Sequence, residues 1–406
     1  MIYSKYRCEK KIKIIVSAYA CNPDEGSEKG AGWNWIISLS QIFENVIVLT
    51  RGSSKSAIER QDYDRNKIKF VYIENSNFII KIKKYFRINR LYYVLWQIKI
   101  RRISKKIAKN EKPDYVHHLT WATFILPIGI YSKGFRLVIG PIGGAVLYPW
   151  RIRKILNLYN RKEIIGELLR LIWQKLLIPI TRLNSTFRRA EIILVQNEQT
   201  AKVFKWHLNV RVLSNAGAKI DLNCISQGEK KGLVDVKRIV FLGRLVHVKG
   251  LELAIMAMTD KRLVEFKLDV IGSGPLENKY RKMVSNLELE NRIRFLGRTS
   301  HKQIYDHMRK ANVFVLPSLR EEGAPFTAVE AMSIGLPIVA LNNGGPITTL
   351  GKGSGVLVSI EPVETLVQRF ATGILDATKI ESEIIYKNFR DFDWDTLFLR
   401  IKNIYT

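Results

Sequence analysis

Two glutamates near the C-terminal end of the chain have a spacing that suits the recognition of hydroxyl groups. In the stretch PSLREEGAPFTAVEAMSIGLPIVALNNGGP, residues 317–346, Glu322 and Glu330 flank a Gly-Ala-Pro turn. We predict that a helix begins near Phe326 and carries Glu330 in its first turns. A carboxylate there can accept hydrogen bonds from both hydroxyls of a ribose, beside free N–H groups of the helix start. The alternative is a solvated loop in which Glu330 only caps the helix, and of the adjacent acids we expect Glu321 to face solvent.

A second loop offers cations to complement these acids. The segment GRLVHVKG places Arg244 and Lys249 between Gly243 and Gly250, where glycines allow close backbone approach. Two cations on such a loop can neutralise a diphosphate. The alternative is a solvated loop in a basic protein. The turn GSGP at 272–275 is a weaker signal of the same kind.

The second half of the chain alternates between strand-like and helix-like segments. Segments rich in Val, Ile and Phe, separated by stretches of helix length, predict βαβ units and a parallel sheet. Ligands bind beyond the C-terminal ends of strands in such sheets, which is where both loops lie. We expect Ser300 to cap one helix, and Gly335 with Pro337 to end the helix that carries Glu330. The predicted strands are KRIVFLGRL, EFKLDVIGSG, NRIRFLG, ANVFVLPS and LPIVALN, and the helices between them are GLELAIMAM, LENKYRKMVSNLEL, SHKQIYDHMRKA and TAVEAMSIG.

The first half repeats this alternation with longer insertions. We therefore predict two doubly wound α/β domains, with the change from one to the other near 209–221. The predicted limits are 1–215 for the first domain, 216–385 for the second and 386–406 for a terminal helix. The predicted strands of the first domain are KIKIIVSAYA, NVIVLT, IKFVYIE, DYVHHLT, RLVIGP and AEIILVQN.

The composition is that of a folded protein rather than a disordered tail. Its 406 residues, 47% of them hydrophobic, allow two domains with separate cores. Cys8, Cys21 and Cys224 are scattered, which argues against a disulfide framework and fits a reducing cytoplasm. The basic N-terminus leads into an apolar run at 14–20, which we interpret as a strand and not a signal peptide. No run of 18 apolar residues occurs, so we expect no spanning helix.

The net charge of +29 is concentrated in the first half of the chain. Residues 78–110 contain 11 Lys and Arg and no acid, and residues 150–189 contain ten more, both interleaved with aromatic and aliphatic residues. Basic amphipathic helices of this kind suit an anionic membrane surface, so we expect a peripheral position on the inner membrane face. The alternatives are a solvated helix face and a nucleic-acid binder. No helix-turn-helix, RNA-binding aromatic motif or zinc spacing is recognisable, so specific nucleic-acid binding is not expected.

The ordered set of motifs resembles glycosyltransferase family 4, a group of retaining transferases with two facing Rossmann-like domains, the GT-B fold. The resemblance runs through GRLVHVKG, GSGP, RFLG, PSLREEGAPFTAVEAMSIGLPIVA and NNGGP, and Glu322 and Glu330 match the Glu-x7-Glu signature of that family. AYACNPDEGSEKGAGWNW, DYVHHLT and GPIGGA also look like one branch of it. The resemblance implies that the terminal helix packs back on the first domain.

The resemblance also implies roles for individual residues. Arg244 and Lys249 would bind the donor's diphosphate, Glu330 its ribose, and Glu322 the hydroxyls of the transferred sugar. Gly26 would lie near the phosphates from the opposite domain. The implied donor-binding set is Glu330, Gly26, Gly243, Gly323, Ala324, Pro325, Phe326, Gly272, Gly274 and Phe295, and the implied catalytic set is Glu322, Arg244, Lys249, His117 and His118.

The sequence departs from the family pattern at two places. Many members have an aromatic residue where this chain has Ala324. Many also have a histidine at the position of Leu119, whereas here His117 and His118 are adjacent. Alternation along a strand sends these two histidines to opposite faces, so at most one of them can face the cleft.

The implied reaction moves a sugar from a UDP- or GDP-sugar to a glycan or lipid-linked acceptor, in bacterial surface polysaccharide synthesis. We expect no cofactor and no metal, and we interpret the acidic segments DYD (62–64) and DFDWD (391–395) as structural. A sugar-nucleotide epimerase or a phosphorylase on the same fold remains an alternative.

Overall fold

A computed structural model gives the fold of the chain and describes residues 12–86, 89–156, 161–219, 236–351 and 353–405. Parts of several predictions lie outside these ranges. They are the basic start before residue 12, residues 87–88 and 157–160 of the two basic segments, the last two residues of the predicted link at 209–221, and two of the three cysteines, Cys8 and Cys224.

The first domain is built on a parallel sheet of seven strands in the order β3-β2-β1-β4-β5-β6-β7. All six strands predicted for this half are confirmed, while the edge strand β7 was not predicted. The strands are β1 (Lys13–Ser17), β2 (Asn45–Arg51), β3 (Ile68–Ile73), β4 (Tyr115–His118), β5 (Arg136–Ile142), β6 (Ile192–Val195) and β7 (Val210–Val212). The helices are α1 (Ser27–Ile42), α2 (Lys55–Glu59), α3 (Asn77–Phe86), α4 (Asn89–Glu111), α5 (Arg161–Ile180), α6 (Ser185–Arg188) and α7 (Glu198–Val203).

The second domain has a parallel sheet of six strands in the order β10-β9-β8-β11-β12-β13. The five predicted strands are confirmed, and β13 was not predicted. The strands are β8 (Lys237–Leu242), β9 (Phe266–Ile271), β10 (Ile293–Gly297), β11 (Val313–Leu316), β12 (Ile338–Leu341) and β13 (Gly355–Val358). The helices are α8 (Leu251–Ala257), α9 (Glu277–Asn286), α10 (His301–Arg309), α11 (Phe326–Ser333), α12 (Gly345–Leu350), α13 (Leu366–Ala377), α14 (Ser382–Phe389) and α15 (Trp394–Tyr405).

Apolar side chains cover both faces of each sheet, as parallel sheets require. Along β1, Ile14 and Val16 pack in one cluster and Ile15 in the cluster on the opposite face. Along β11, Val313 faces one core cluster and Phe314 faces the other. The alternation of side chains along each strand therefore divides every domain into two core layers around its sheet.

Local signals in the sequence place the helix ends correctly. Ser300 caps α10 in a capping box with Gln303, which satisfies backbone N–H groups at the helix start. Gly335 follows α11 with a φ of +66°, a left-handed conformation that glycine adopts without strain. Both predicted helix limits are confirmed.

The terminal helix α15 packs on the first domain, as the family resemblance implies. Its Leu397, Ile401 and Tyr405 lie in a core cluster with residues of the first sheet. The Tyr115 hydroxyl also donates a hydrogen bond to the backbone oxygen of Tyr405 at 2.9 Å.

The segment after β5 crosses from the first domain to the second. Tyr148, Ile152 and Leu156 are buried in a core cluster of the second domain. Arg151 forms an ion pair with Glu361 at 3.4 Å on the same side. Part of the predicted first domain therefore packs against the second.

The order of the strands fixes where a cleft forms. In each sheet the order in which strands are added reverses at one point, between β1 and β4 in the first sheet and between β8 and β11 in the second. Loops after these strands diverge to opposite faces of the sheet, which leaves a crevice at the C-terminal edge. Among the helices in the described parts of the chain, none combines the length and the apolar content that crossing a bilayer requires.

Candidate active site

A cavity of about 530 Å³ lies in the cleft, and both domains contribute to its walls. Its wall includes four cations and four carboxylates. The cations are Arg90, Arg170, Lys249 and Arg320, and the carboxylates are Glu28, Glu321, Glu322 and Glu330. Equal numbers of opposite charges suit a ligand that has both anionic groups and neutral hydroxyls.

The wall from the second domain is formed largely by the stretch 317–346 that carries Glu322 and Glu330. Ala324, Pro325 and Phe326 line the cavity where α11 begins, and Glu330 lies one turn along the same helix. The Pro325 oxygen already accepts hydrogen bonds from the amides of Ala328 and Val329, at 3.0 Å each. The backbone N–H groups of Phe326 and Thr327 lie at the start of the helix, before its first internal hydrogen bonds. The positive end of the helix dipole therefore faces the cavity.

Lys249 lines the cavity and forms an ion pair with Glu321. The expectation that Glu321 faces solvent is wrong, because its side chain is only 15% exposed. The pair links the loop after β8 to the loop after β11, which are neighbouring strands in the sheet. It also keeps the Lys249 ammonium beside the start of α11.

The Glu322 carboxylate is bound mainly by groups of the first domain. Its Oε2 accepts hydrogen bonds from the amides of Gly144, at 2.8 Å, and Val146, at 3.3 Å. Its Oε1 pairs with the Arg170 guanidinium, and Arg320 lies 3.5 Å away. Glu322 therefore joins the two walls of the cleft while it lines the cavity.

Arg244 is not part of the cavity wall, although it lies on the same loop as Lys249. The loop turns at this point, because the Val246 amide donates to the Arg244 oxygen at 2.9 Å and Leu245 is buried beneath. The Arg244 side chain is exposed as a result. A role for Arg244 in diphosphate binding stays a prediction.

The other glycines of the implied donor-binding set shape loops but do not line the cavity. A Cβ on Gly272 would lie 2.0 Å from the Gly243 oxygen, and one on Gly274 would lie 2.4 Å from the Leu245 oxygen. These two residues are glycines because the loop after β8 packs directly on them. Gly26 precedes α1 with no neighbour within 4 Å of an added Cβ. The ring of Phe295 packs beneath the guanidinium of Arg281 at 4.6 Å.

Neither His117 nor His118 lines the cavity, which agrees with the expectation that at most one of them faces the cleft but speaks against the implied catalytic role of both. They do face opposite sides of the sheet, as alternation predicts, but both are 0% exposed. Strand β4 lies between β1 and β5, and each of its faces is covered. Burial lowers the pKa of His117 to about 4 and that of His118 to about 3.

The buried histidines support surrounding elements. Nε2 of His117 lies 2.8 Å from the Gly140 oxygen and Nδ1 lies 2.7 Å from the Tyr405 hydroxyl, so the ring ties β4 to the terminal helix. Nε2 of His118 lies 3.2 Å from the hydroxyl of Tyr93, on α4.

The wall from the first domain contains residues that the sequence reasoning missed. Ser27 and Glu28 open α1 after the loop from β1, and Trp121 follows β4. Burial raises the pKa of Glu28 above its ordinary value, and a hydrogen bond from the Trp121 amide partly opposes this rise. These residues follow β1 and β4, the two strands between which the strand order reverses. That placement is the signal in the sequence that could have identified them as site residues.

Three arginines at one side of the cavity come from distant parts of the chain. Arg170 lies on α5, Arg90 on α4, and Arg320 after β11. Arg320 also forms an ion pair with Glu167 at 2.8 Å. Burial, followed by the charge of Arg320, lowers the pKa of Arg170 below its ordinary value. No local motif marks Arg90 or Arg170 as site residues.

The acidic segments weighed as metal sites lie away from this cavity. Asp64 Oδ1 accepts from the Asn66 amide at 2.9 Å in a turn, and Asp391 pairs with Arg400 at 2.6 Å. Within the described ranges, no three His, Cys, Asp or Glu side chains gather into a group that could hold a metal ion.

Residues 227–390 match the family model described as "Glycosyl transferases group 1". The chain is 26% identical over 269 residues to an uncharacterised glycosyltransferase of Methanocaldococcus jannaschii, covering 61% of each chain. It is 32% identical over 118 residues to the amylovoran biosynthesis glycosyltransferase AmsK of Erwinia amylovora, covering 27% of this chain and 28% of AmsK. It is 30% identical over 147 residues to a GDP-mannose-dependent phosphatidylinositol monomannoside mannosyltransferase of Mycolicibacterium smegmatis, covering 34% and 38%. Each match thus spans less than two thirds of the relative.

Solved structures match nearly the whole chain. Sucrose-phosphate synthase from Thermosynechococcus elongatus superimposes with a TM-score of 0.63 at 15% identity, covering 97% of this chain and 98% of the other. HepE of Anabaena, solved with UDP and glucose, gives 0.57 at 18% identity, covering 97% and 99%. At these identities the likeness concerns the fold.

The fold is that of GT-B glycosyltransferases, and the resemblance of the sequence to glycosyltransferases is confirmed, while membership of family 4 and retention of configuration stay predictions. The sequence similarity to the group 1 glycosyltransferases covers residues 227–390, which make up most of the second domain.

Proposed function

We propose that this chain is a retaining glycosyltransferase of family 4. It moves a sugar from a UDP- or GDP-sugar to a lipid-linked glycan acceptor in bacterial surface polysaccharide synthesis. The observation that carries the proposal is the cavity between the domains, whose walls bring Lys249, Glu322 and Glu330 together at the start of α11. The mixed charges of that cavity suit a nucleotide sugar, which is anionic at its diphosphate and neutral at its hydroxyls.

The second domain holds the nucleotide in this account. Glu330 accepts hydrogen bonds from the ribose hydroxyls, and Lys249 binds the diphosphate beside the N-terminal amides of α11. A cation and a helix N-terminus both stabilise negative charge, so the interaction strengthens as charge grows on the leaving diphosphate. No further cofactor is invoked.

The transferred sugar lies against the loop from Gly323 to Phe326 and the Glu322 carboxylate. In the structure that carboxylate pairs with Arg170 and two backbone amides of the first domain. Hydroxyls of the donor sugar share or replace some of these bonds on binding. Glu322 thereby couples occupation of the donor site to the contact between the domains.

The reaction exchanges one bond at the anomeric carbon for another. The bond from that carbon to the diphosphate oxygen breaks and leaves an oxocarbenium-like sugar. The acceptor hydroxyl attacks from the face that the diphosphate leaves, and its proton passes to the leaving phosphate oxygen. Attack on this face retains the anomeric configuration, and Lys249 stabilises the departing charge.

Helix α5 supplies the argument for a membrane-bound acceptor. Its inner face carries Arg170 and Gln174, while its outer face is a stripe of apolar side chains that are 43% to 55% exposed. The stripe consists of Ile165, Leu168, Leu169, Ile172, Trp173, Leu176 and Ile180. An exposed apolar stripe next to basic residues suits the interface of an anionic bilayer better than a nucleic acid.

The comparisons support a nucleotide-sugar donor and a glycan or lipid-linked acceptor, but they do not identify the sugar, the base or the acceptor. AmsK is named for amylovoran biosynthesis, and the mycolicibacterial relative for transfer from GDP-mannose to a phosphatidylinositol mannoside. HepE was solved with UDP and glucose. We extend these properties to this chain, and with them a position in the cytoplasm at the inner face of the membrane.

A transfer assay with product analysis tests the proposal. The purified chain is incubated with UDP- and GDP-sugars and a bacterial lipid extract, and the anomeric configuration of the glycolipid product is determined by NMR. Transfer with retention supports the proposal. Conversion of the donor sugar without acceptor indicates an epimerase, dependence on inorganic phosphate indicates a phosphorylase, and either result contradicts it.

A further inference from the structure

We propose that Glu28 and Trp121 form a subsite for a neutral sugar, the terminal residue of the acceptor, on the first-domain wall of the cleft. The inference rests on the proposed function and adds to it a class of acceptor and the residues that recognise it. Neither residue belongs to the donor-side motifs.

The Glu28 carboxylate is fixed in place at the cavity wall. Its Oε1 accepts a hydrogen bond from the Trp121 amide at 2.7 Å, which joins the start of α1 to the loop after β4. Within the described part of the chain, the carboxylate accepts its hydrogen bond from the Trp121 amide through Oε1, and Oε2 can accept one from a ligand. A pre-positioned carboxylate at the edge of a cavity is well suited to bind sugar hydroxyls.

The backbone on both sides of this hydrogen bond is strained. Ser27 has a φ of +59° and Trp121 a φ of +56°, a left-handed region that residues other than glycine rarely adopt. Such residues are energetically unfavourable, and they cluster at functional sites. Two of them meet at one wall of this cavity, one on each segment that Glu28 connects.

Trp121 has the support that a stacking platform needs. Its ring stacks on that of Tyr93 at 5.5 Å and 26°, and Tyr19 packs against it at 4.9 Å. The Tyr93 hydroxyl lies 3.2 Å from His118 Nε2 in the core. The contacts from His118 to Tyr93 and from Tyr93 to Trp121 therefore hold the indole ring in place. The part of the Trp121 side chain that stays exposed lines the cavity.

Trp121 also lines a second cavity of about 290 Å³. Its wall includes Asn22, Arg51 and Ser53, which offer hydrogen-bond donors and acceptors. Aromatic surface next to a fixed carboxylate is the combination that binds the apolar face and the hydroxyl edge of a pyranose. A cavity of this volume beside Trp121 has room for the next sugar of a glycan.

The test is binding of simple glycosides to the full chain with UDP or GDP at saturation, so that the donor side is occupied. Saturation-transfer NMR measures the Kd of methyl glucoside, galactoside, mannoside and N-acetylglucosaminide for the wild type and for Glu28→Gln. The glutamine oxygen can still accept from the Trp121 amide, so this variant removes the charge and keeps the loop. Glu198→Gln is the matched control, because Glu198 also lies in the first turn of a helix of this domain.

We expect at least one glycoside to bind the wild type, with a Kd at least tenfold higher in Glu28→Gln and unchanged in Glu198→Gln. Nucleotide affinity and melting temperature stay the same in all three, whereas a merely structural role for Glu28 would lower the melting temperature and leave the glycoside Kd unchanged. Equal glycoside binding by Glu28→Gln, or none by a wild type that binds nucleotide, overturns the subsite alone. Failure of the wild type to bind any nucleotide overturns the proposed function and the subsite with it.

Discussion

The two walls of the cleft are built in different ways. The wall from the second domain comes from the loops after β8 and β11, which are neighbouring strands in the sheet, and from the helix that follows, so that Lys249, Glu321 and Glu330 lie along one stretch of sheet edge. The wall from the first domain gathers single residues from separate segments, among them Glu28, Trp121 and Arg170. A contiguous wall is visible as a motif in the sequence, whereas a dispersed wall becomes visible only when the chain is folded.

The two walls also differ in what holds them together. Ion pairs within the second domain, such as Lys249 with Glu321, stabilise its wall locally. The first-domain wall depends on its neighbour, since Glu322 of the second domain binds the amides of Gly144 and Val146. We therefore expect variants in the second domain to act on catalysis, and variants in the first to act on stability and on acceptor or membrane binding.

The largest expected effect is on turnover when a cation is removed from the second-domain wall. Lys249→Met should lower kcat by about 100- to 1,000-fold, as loss of one group that stabilises developing charge does. Arg244→Met should lower kcat less than tenfold, because its exposed side chain does not line the cavity. Steady-state kinetics with the same donor compare the two. Equal losses would mean that the loop rearranges when the donor binds.

Acid should destabilise the first domain through His117. Its pKa of about 4 in the folded protein lies below the ordinary value of 6.5, so the unfolded chain binds a proton that the native state excludes. The stability that the neutral His117 contributes is complete above pH 6.5 and is lost as the pH falls toward 4. At pH 5 the free energy of unfolding is lower by about 2 kcal/mol for this reason. Melting curves between pH 7 and pH 5 measure it.

The matched variant for this prediction is His117→Gln, which has no group that titrates in this range. Its melting temperature is expected to be lower at pH 7, because the hydrogen bonds to Gly140 and Tyr405 are altered, and to change less on acidification. A pH dependence identical to that of the wild type would show that other groups cause the acid sensitivity.

Removal of the Arg170 side chain should destabilise the junction of the walls. Arg170→Met should lower the free energy of unfolding by about 1–2 kcal/mol, because the partly buried Glu322 loses its ion pair with Arg170 but keeps two amide donors and Arg320 at 3.5 Å. Lys175→Met, on the exposed side of the same helix, is the control and should change it by less than 0.5 kcal/mol. Urea titration gives both values. Similar stability for the two variants would argue against a bridging role for Glu322.

The smallest effect concerns the outer face of α5. Leu176→Ser should weaken binding to liposomes that contain anionic lipid by about three- to tenfold, since inserting the exposed half of this leucine contributes about half of the roughly 1.5–3 kcal/mol of full burial. Leu399→Ser, at an equally exposed leucine on α15, should leave liposome binding unchanged. Sedimentation with vesicles at two salt concentrations measures the partition. Parallel losses in both variants would contradict a membrane face on α5.

The sequence predicted the second-domain wall because its determinants are local. The turn at Gly323, the helix start at Phe326 and the helix end at Gly335 depend on neighbouring residues, and their positions follow from the pattern of strands. The strands β7 and β13 were missed because both are short and lie at sheet edges, where most of their residues are only half-buried and the apolar pattern is weaker than in the inner strands.

The histidines show the limit of such reasoning. Alternation along β4 predicted correctly that His117 and His118 face opposite sides, but it could not show that neighbouring strands and helices cover both sides. Arg170 was missed for a related reason. It lies on an inserted helix, and its pairing with Glu322, 152 residues away, is a tertiary contact without a local signal.

The most direct test of the central claim is calorimetric titration of UDP, GDP and ADP into the wild type and into Glu330→Gln, with Glu288→Gln as an exposed control. The account predicts that one nucleotide binds the wild type and the control equally, and binds Glu330→Gln at least tenfold more weakly because a charged acceptor for the ribose hydroxyls is lost. Unchanged affinity in Glu330→Gln, or no binding of any nucleotide to the wild type, would contradict it.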